Sequence, residues 1–173
     1  KRRQKKLKSS LKKEEEKKEE ETKIEKYVPP SLRDRQNDSR YIQLQKSLRG
    51  LLNRLSPSTM IHITDESLKL YEENSKNDFH EILTNIVLTS ICDTTTTLMS
   101  QFILIYGAYI VAMHNIAGMN LGAHFIEKTI QRFDNELKSN NRLKTSHLLN
   151  MISHLYNFGM IHCSLIVDII NVL

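Results

Sequence analysis

The most informative segment of this chain is Gly50-Leu51-Leu52-Asn53-Arg54-Leu55-Ser56-Pro57, where an apolar helix end meets a sharp break. Proline lacks a backbone donor and restricts the residue before it, so Ser56-Pro57 predicts that a helix stops here. Pro57 also suits the first turn of a following helix, with Ser56 as its cap. Asn53 and Arg54 would then be polar groups on a rigid helix end, the alternative being that Asn53 only caps that end.

Apolar residues recur three and four positions apart on both sides of this segment, which is the spacing of an amphipathic helix. Before the break, Tyr41, Leu44, Leu48 and the leucines of the segment predict a helix over residues 39–55. After it, the same spacing predicts five helices over residues 58–74, 97–115, 119–137, 142–157 and 160–173. A further helix is predicted between the first two of these, from an Asn77-Asp78 cap to the four threonines at 94–97. A turn is expected at 114–118. No segment alternates apolar and polar residues as a strand does.

The predicted helices form antiparallel pairs that begin near residues 39, 78 and 119. A repeat of about 40 residues is typical of HEAT-type helix pairs. The fold class is therefore all-α, a HEAT-like solenoid with three and a half helix pairs over residues 39–173. Because an open last helix would leave an apolar edge, we expect a domain that is truncated at its C-terminal end.

Residues 1–26 hold all of the basic excess of the chain. They contain 12 Lys or Arg and 7 Glu, whereas the other residues balance 13 basic with 13 acidic side chains. We expect a disordered tail or a single solvated helix here, since an apolar face is almost absent. Its basic cluster comprises Lys1, Arg2, Arg3, Lys5 and Lys6. We expect this cluster to act as a nuclear import signal or as an RNA-binding arm. Pro29-Pro30 predicts an extended linker over residues 27–38.

Composition also restricts the compartment and the kind of partner. The two cysteines, Cys92 and Cys163, offer no paired framework and are expected in apolar helical surroundings, which favours a reducing intracellular compartment. The apolar run over residues 102–113 is about half the ~20 residues that span a bilayer, and Gly107 interrupts it. We expect a buried core helix and no membrane partner.

The chain lacks a catalytic constellation. His80-Glu81 begins a zinc-protease pattern, but Thr84 stands where the second histidine would be. His154 and His162 lie either side of a predicted turn at Gly159, which is too little for a structural zinc site of four ligands. We therefore predict no enzyme activity, no catalytic or metal site, no cofactor and no small-molecule substrate.

Four short signatures, in order along the chain, resemble the middle domain of initiation factor 4G. They lie at residues 27–33 (Tyr-Val-Pro-Pro-Ser-Leu-Arg), 48–56, 122–125 (Gly-Ala-His-Phe) and 155–158 (Leu-Tyr-Asn-Phe). Within that superfamily the chain looks most similar to the nucleolar suppressor-of-glycerol-defect family. Domains of this kind have about five helix pairs, so we expect the last pairs and the contacts that they make to be missing from this chain.

The resemblance implies a scaffold that binds and positions a DEAD-box RNA helicase of the initiation-factor-4A type. The family's Gly-x-x-Asn-[Lys/Arg] element contributes to helicase contact and matches Gly50, Asn53 and Arg54. The alternative for Arg54 is a solvated charge favoured by the helix dipole.

The resemblance also implies a cellular setting, which is small ribosomal subunit assembly and pre-rRNA processing in the nucleus and nucleolus. Spliceosomal helicase loading and translation initiation are the alternatives. A direct RNA-binding helical repeat is an alternative of another class, although the charge balance outside the tail is neutral and gives it little support. RNA contact is therefore expected through the tail.

Overall fold

The computed structural model describes residues 39–93 and 100–172 of the chain. They contain α1 (Ser39–Leu52), α2 (Met60–Glu73), α3 (Lys76–Cys92), α4 (Ser100–Ala117), α5 (Met119–Lys138), α6 (Arg142–Asn157) and α7 (Cys163–Val172). The predicted all-α class is confirmed for the described residues. The expected tail with its basic cluster, the 27–38 linker and the threonines at 94–97 lie outside them.

The helices stack in two layers, as expected for a HEAT-like solenoid. In one layer α1 packs on α3 and α3 on α5, and in the other α2 packs on α4 and α4 on α6. The two layers meet where α1 contacts α2, α4 contacts α5, and α5 contacts α6. Each helix from α1 to α6 therefore packs against a neighbour in its own layer and against the opposite layer.

Several predicted boundaries were wrong, each for a local reason. The first helix ends at Leu52, so Asn53 and Arg54 lie in the following turn. The second helix begins at Met60 with Thr59 as its N-cap residue, three positions after the predicted cap Ser56. Ser75 precedes α3, which places Asn77 and Asp78 in its first turn. The turn predicted at 114–118 is limited to Gly118, whose φ of 104° lets α4 run on to Ala117.

Polar contacts between helices accompany the apolar core. The fully buried Tyr109 of α4 donates its hydroxyl hydrogen to Ser67 Oγ of α2 at 2.7 Å. Burial raises the pKa of Tyr109, only partly offset by the Ser67 bond, so this donor stays protonated. One turn further along α2, the Tyr71 hydroxyl donates to the Ala117 carbonyl at 3.2 Å. These bonds satisfy buried hydroxyls that would otherwise oppose folding.

Gly122 permits the closest packing among the glycines. A Cβ at this position would lie 2.9 Å from Met160 Cε and would overlap the His114 ring. The loop before α7 and the end of α4 therefore both press against the first turns of α5. The Gly-Ala-His-Phe signature thus has a packing role, since Phe125 is also fully buried.

Among the described helices, α4 combines the greatest length of apolar sequence with few charged residues. Its 18 residues are long and apolar enough to span a membrane by length and composition, and about a third of them are buried within the fold. It packs against α2, α5 and α6 and includes Tyr109, whose hydroxyl is bonded inside the core. These contacts are those expected of the predicted core helix. The core helix of a folded domain can be as long and as apolar as a membrane-spanning one.

Candidate functional site

The three residues of the Gly-x-x-Asn-[Lys/Arg] element lie together at the corner between α1 and α2. Leu48, Leu51 and Leu52 turn into the core, with exposed fractions of 6% or less. That burial leaves Gly50, Asn53 and Arg54 on the exposed side of the helix end and of the turn that follows. We call this group, Gly50, Asn53 and Arg54, the α1–α2 corner.

No described residue requires the missing side chain of Gly50. A Cβ added at Gly50 would meet nothing within 4 Å, and its backbone has the ordinary helical φ of any residue. Glycine within a helix costs roughly 0.5–1 kcal/mol relative to alanine. The fold would therefore be more stable with alanine here, and only a contact outside the described residues would require the missing side chain.

Asn53 ends α1 through its backbone rather than through its side chain. Its N–H donates to the Arg49 carbonyl at 3.0 Å, whereas its amide group makes no hydrogen bond to a described residue. The alternative in which the Asn53 side chain caps the helix is therefore not what the structure shows. An exposed side chain that both donates and accepts is available for contact with another molecule.

Arg54 is exposed and its side chain makes two contacts with neighbouring residues. Its Nε donates to the Gly50 carbonyl at 3.2 Å, and its Nη2 lies 3.9 Å from Glu66 Oε2 on α2. His62 approaches the other oxygen of Glu66 at 3.4 Å. With 67% of the Arg54 side chain exposed, solvent weakens this ion pair. The guanidinium is thus positioned for further bonds, and it is not simply a free charge on a helix end.

The turn after the corner is held by the hydroxyl of Thr59. Thr59 Oγ1 donates to the Arg54 carbonyl at 2.7 Å and accepts from the Ser56 N–H at 3.0 Å. In return the Thr59 N–H donates to Ser56 Oγ at 3.3 Å. Reciprocal bonds of this kind resemble a capping box and satisfy backbone groups at a helix start. They fix the Arg54 backbone relative to α2, a network that the Ser-Pro pattern alone did not predict.

The histidines and cysteines form no second site. Among residues 39–93 and 100–172, no three His, Cys, Asp or Glu side chains are arranged to hold a metal ion. His154 lies 3.3 Å from Ser100 Oγ, and His162 lies 3.0 Å from Ser164 Oγ. Cys163 is exposed at the start of α7, which corrects the apolar surroundings expected for it.

Two buried titratable groups belong to the core. Cys92 is buried as predicted, and that burial raises the pKa of its thiol. His80 stacks on Tyr71, with 5.7 Å between ring centroids, and its ring centroid lies 6.1 Å from that of His124. Burial, then the charges of His124 and Lys76, lower the pKa of His80. His80 is therefore a neutral core histidine near pH 7.

These features define the chain as a HEAT-like helical repeat domain with a rigid, polar, exposed corner. Within that class the family is clear: residues 45–173 match the MIF4G domain, and the chain belongs to the MIF4G domain family. The resemblance identified from the short signatures is confirmed. Membership supports an adaptor-type role based on contacts with other proteins.

The relatives of this chain have nucleolar or suppressor names. It is 32% identical over 153 residues to human nucleolar MIF4G domain-containing protein 1, covering 84% of this chain and 18% of that protein. It is 32% identical over 156 residues to suppressor of glycerol defect protein 1 of Schizosaccharomyces pombe, covering 84% and 20%. The Saccharomyces cerevisiae protein of that name is 32% identical over 165 residues, covering 86% and 18%. The chain thus spans about a fifth of these relatives, and no solved structure matches it.

Proposed function

We propose that this domain is a non-enzymatic scaffold that binds and positions a DEAD-box RNA helicase of the initiation-factor-4A type. The observation that carries the proposal is the α1–α2 corner. The described fold uses neither the open space at the Gly50 Cα nor the Asn53 amide group. Arg54 is exposed, its side chain lies near Glu66, and its carbonyl accepts from Thr59. Residues that the fold does not need, on a rigid support, are what a protein-docking surface requires.

The corner combines the chemistry needed for a polar protein interface. Gly50 allows the partner's backbone to approach closely, Asn53 supplies a donor and an acceptor, and Arg54 supplies charge-assisted hydrogen bonds. Because the corner is already rigid, little conformational entropy is lost on docking. The buried leucines beneath it keep the three residues in register with α2.

We infer that the setting is pre-rRNA processing and small ribosomal subunit assembly in the nucleolus. The names of the human and mouse relatives, both nucleolar MIF4G domain-containing protein 1, support the compartment. Under the spliceosomal or translational alternative, a tagged full chain would be found with spliceosomal components or with cytoplasmic initiation complexes. Co-purification with small-subunit precursors would support the nucleolar setting.

Charge reversal at the corner tests helicase docking directly. The double variant Asn53→Asp, Arg54→Glu of the full chain should fail to capture a purified helicase of the initiation-factor-4A type. A broken charged contact at an interface costs roughly 2–5 kcal/mol, which is a loss of about thirtyfold or more. The melting temperature should stay close to that of the parent, because exposed substitutions usually change stability by within about 0.5 kcal/mol.

A matched control exists at the end of α5. The variant Asn135→Asp, Lys138→Glu makes the same charge change at exposed residues of another helix end. It should bind the helicase like the parent. Normal capture by the corner variant would refute the site, and unfolding of that variant would show that the residues are structural.

A further inference from the structure

Helix α1 carries a solvent-facing stripe that runs up to the α1–α2 corner. Ile42, Lys46, Arg49 and Asn53 are spaced by four, three and four residues, so they lie along one side of the helix and its end. All four are exposed, and Ile42 is 52% exposed. We call Ile42, Lys46 and Arg49 the α1 stripe. From Ile42 to Arg49 it covers about 10 Å of helix.

The charge of α1 has a single sign. The helix contains Arg40, Lys46 and Arg49 and no acidic residue, although the residues outside the tail are neutral in total. Arg54 has its charge offset by Glu66, but Lys46 and Arg49 make no ion pair with a described residue. Arg49 lies in the last turn, where the helix dipole favours a cation. That effect does not explain Lys46, nor the exposed Ile42 beside it.

We propose that the helicase-docking surface extends along the α1 stripe and that the partner presents an acidic protein face with an apolar contact for Ile42. This inference rests on the proposed function and deepens it, because the stripe is continuous with the α1–α2 corner. Two exposed cations that follow an exposed aliphatic side chain along one side of a helix match an acidic protein surface.

The same surface is less suited to single-stranded RNA. Such RNA is bound through aromatic side chains on which bases stack, and the stripe has none. The aromatic residue of α1, Tyr41, is half-buried and packs against the core. The stripe therefore fits an acidic protein face better than RNA, and the experiment below includes RNA as a competing ligand.

Binding should be measured with the full chain and a purified helicase of the initiation-factor-4A type at several salt concentrations. Lys46→Glu, Arg49→Glu should weaken binding about tenfold or more and reduce its salt dependence, since like charges would then face each other. Ile42→Ser should weaken binding without changing the salt dependence. The control Lys128→Glu, Lys138→Glu makes the same charge change on α5 and should bind like the parent. The milder pair Lys46→Gln, Arg49→Gln keeps the test valid if the reversed pair is unstable.

The outcomes separate this inference from the proposed function. If the parent fails to bind the helicase, both are overturned. If the corner variant loses binding while both Lys46–Arg49 variants bind normally, only the stripe is overturned. The stripe is also overturned if its charge reversal weakens binding to poly(U) RNA and leaves helicase binding unchanged. Loss of a self-associated species in sedimentation, with unchanged helicase binding, would assign the stripe to a second copy of the chain and equally overturn the proposal.

Discussion

Replacing Gly50 with alanine should make the domain more stable and its docking weaker. A methyl group at this position meets nothing within 4 Å, so the fold accommodates it without strain. Alanine within a helix is favoured over glycine by roughly 0.5–1 kcal/mol. Because Gly50 lies only two residues before the end of α1 at Leu52, we take the lower value, about 0.5 kcal/mol.

The two effects of Gly50→Ala can be measured separately. For a chain of this size, 1 kcal/mol corresponds to roughly 2–4 °C, so the melting temperature should rise by about 1–2 °C. If a partner backbone approaches Gly50 closely, the methyl group overpacks that contact at about 1–3 kcal/mol, or roughly 5- to 150-fold in affinity. Thermal melts followed by circular dichroism and titration calorimetry with the helicase would report the two quantities.

The opposite signs of the two changes make the prediction refutable. A lower melting temperature would mean that the fold needs Gly50, and unchanged affinity would mean that no partner approaches it. Gly122→Ala is the contrasting control, because its Cβ would lie 2.9 Å from Met160 Cε. That variant should be less stable by about 1–3 kcal/mol.

Three further predictions concern the turn, the pH dependence and the tail. Thr59→Val should destabilise the domain by about 1–2 kcal/mol and weaken helicase capture, because it removes the hydroxyl that bonds the Arg54 carbonyl. Denaturant melts would detect the lost stability, and an unchanged midpoint would contradict this prediction. The pKa of His80 is below its ordinary 6.5, so its contribution is intact above about pH 6.5 and is lost as pH falls through the folded-state pKa. Melts of His80→Phe against pH should therefore show a smaller loss of stability below pH 6.5 than the parent, and parallel curves would refute this. Deleting residues 1–26 should remove most RNA affinity at moderate salt, because the whole +5 lies there; unchanged binding in a filter assay would count against it.

The helices themselves could be predicted because their signal is repeated many times in the sequence. Leucines such as Leu48 and Leu52 are buried where the spacing places them. Because these leucines form the inward face of the helix end, Asn53 lies on its outward face. Helix ends were less predictable because several residues compete to cap them. Ser56 and Thr59 both have the right chemistry. Thr59 is the residue directly before α2, but its hydroxyl donates to the Arg54 carbonyl and makes no cap bond to the helix.

The candidate site was predictable in composition but not in detail. The Gly-x-x-Asn-[Lys/Arg] spacing locates the corner, since it depends only on the order of residues. The packing of α1 against α2 determines the empty space around Gly50 and the pairing of Glu66 with Arg54, and the spacing does not show that packing. The α1 stripe was hidden for another reason: a neutral total conceals a helix whose charges all have one sign.

The two tyrosine bonds between α2 and α4 bear on how the site persists over time. In stacked helical repeats, cooperativity comes only from the interfaces between neighbours, so an end repeat frays more easily than the rest. Tyr109–Ser67 and Tyr71–Ala117 connect successive turns of α2 to the next helix of its layer. Separating α2 from α4 therefore breaks both bonds together with the apolar contact around them. Amide protons of α2 and α4 should exchange with solvent in a single opening event, so the corner beside α2 would have the lifetime of the core and not of a frayed end.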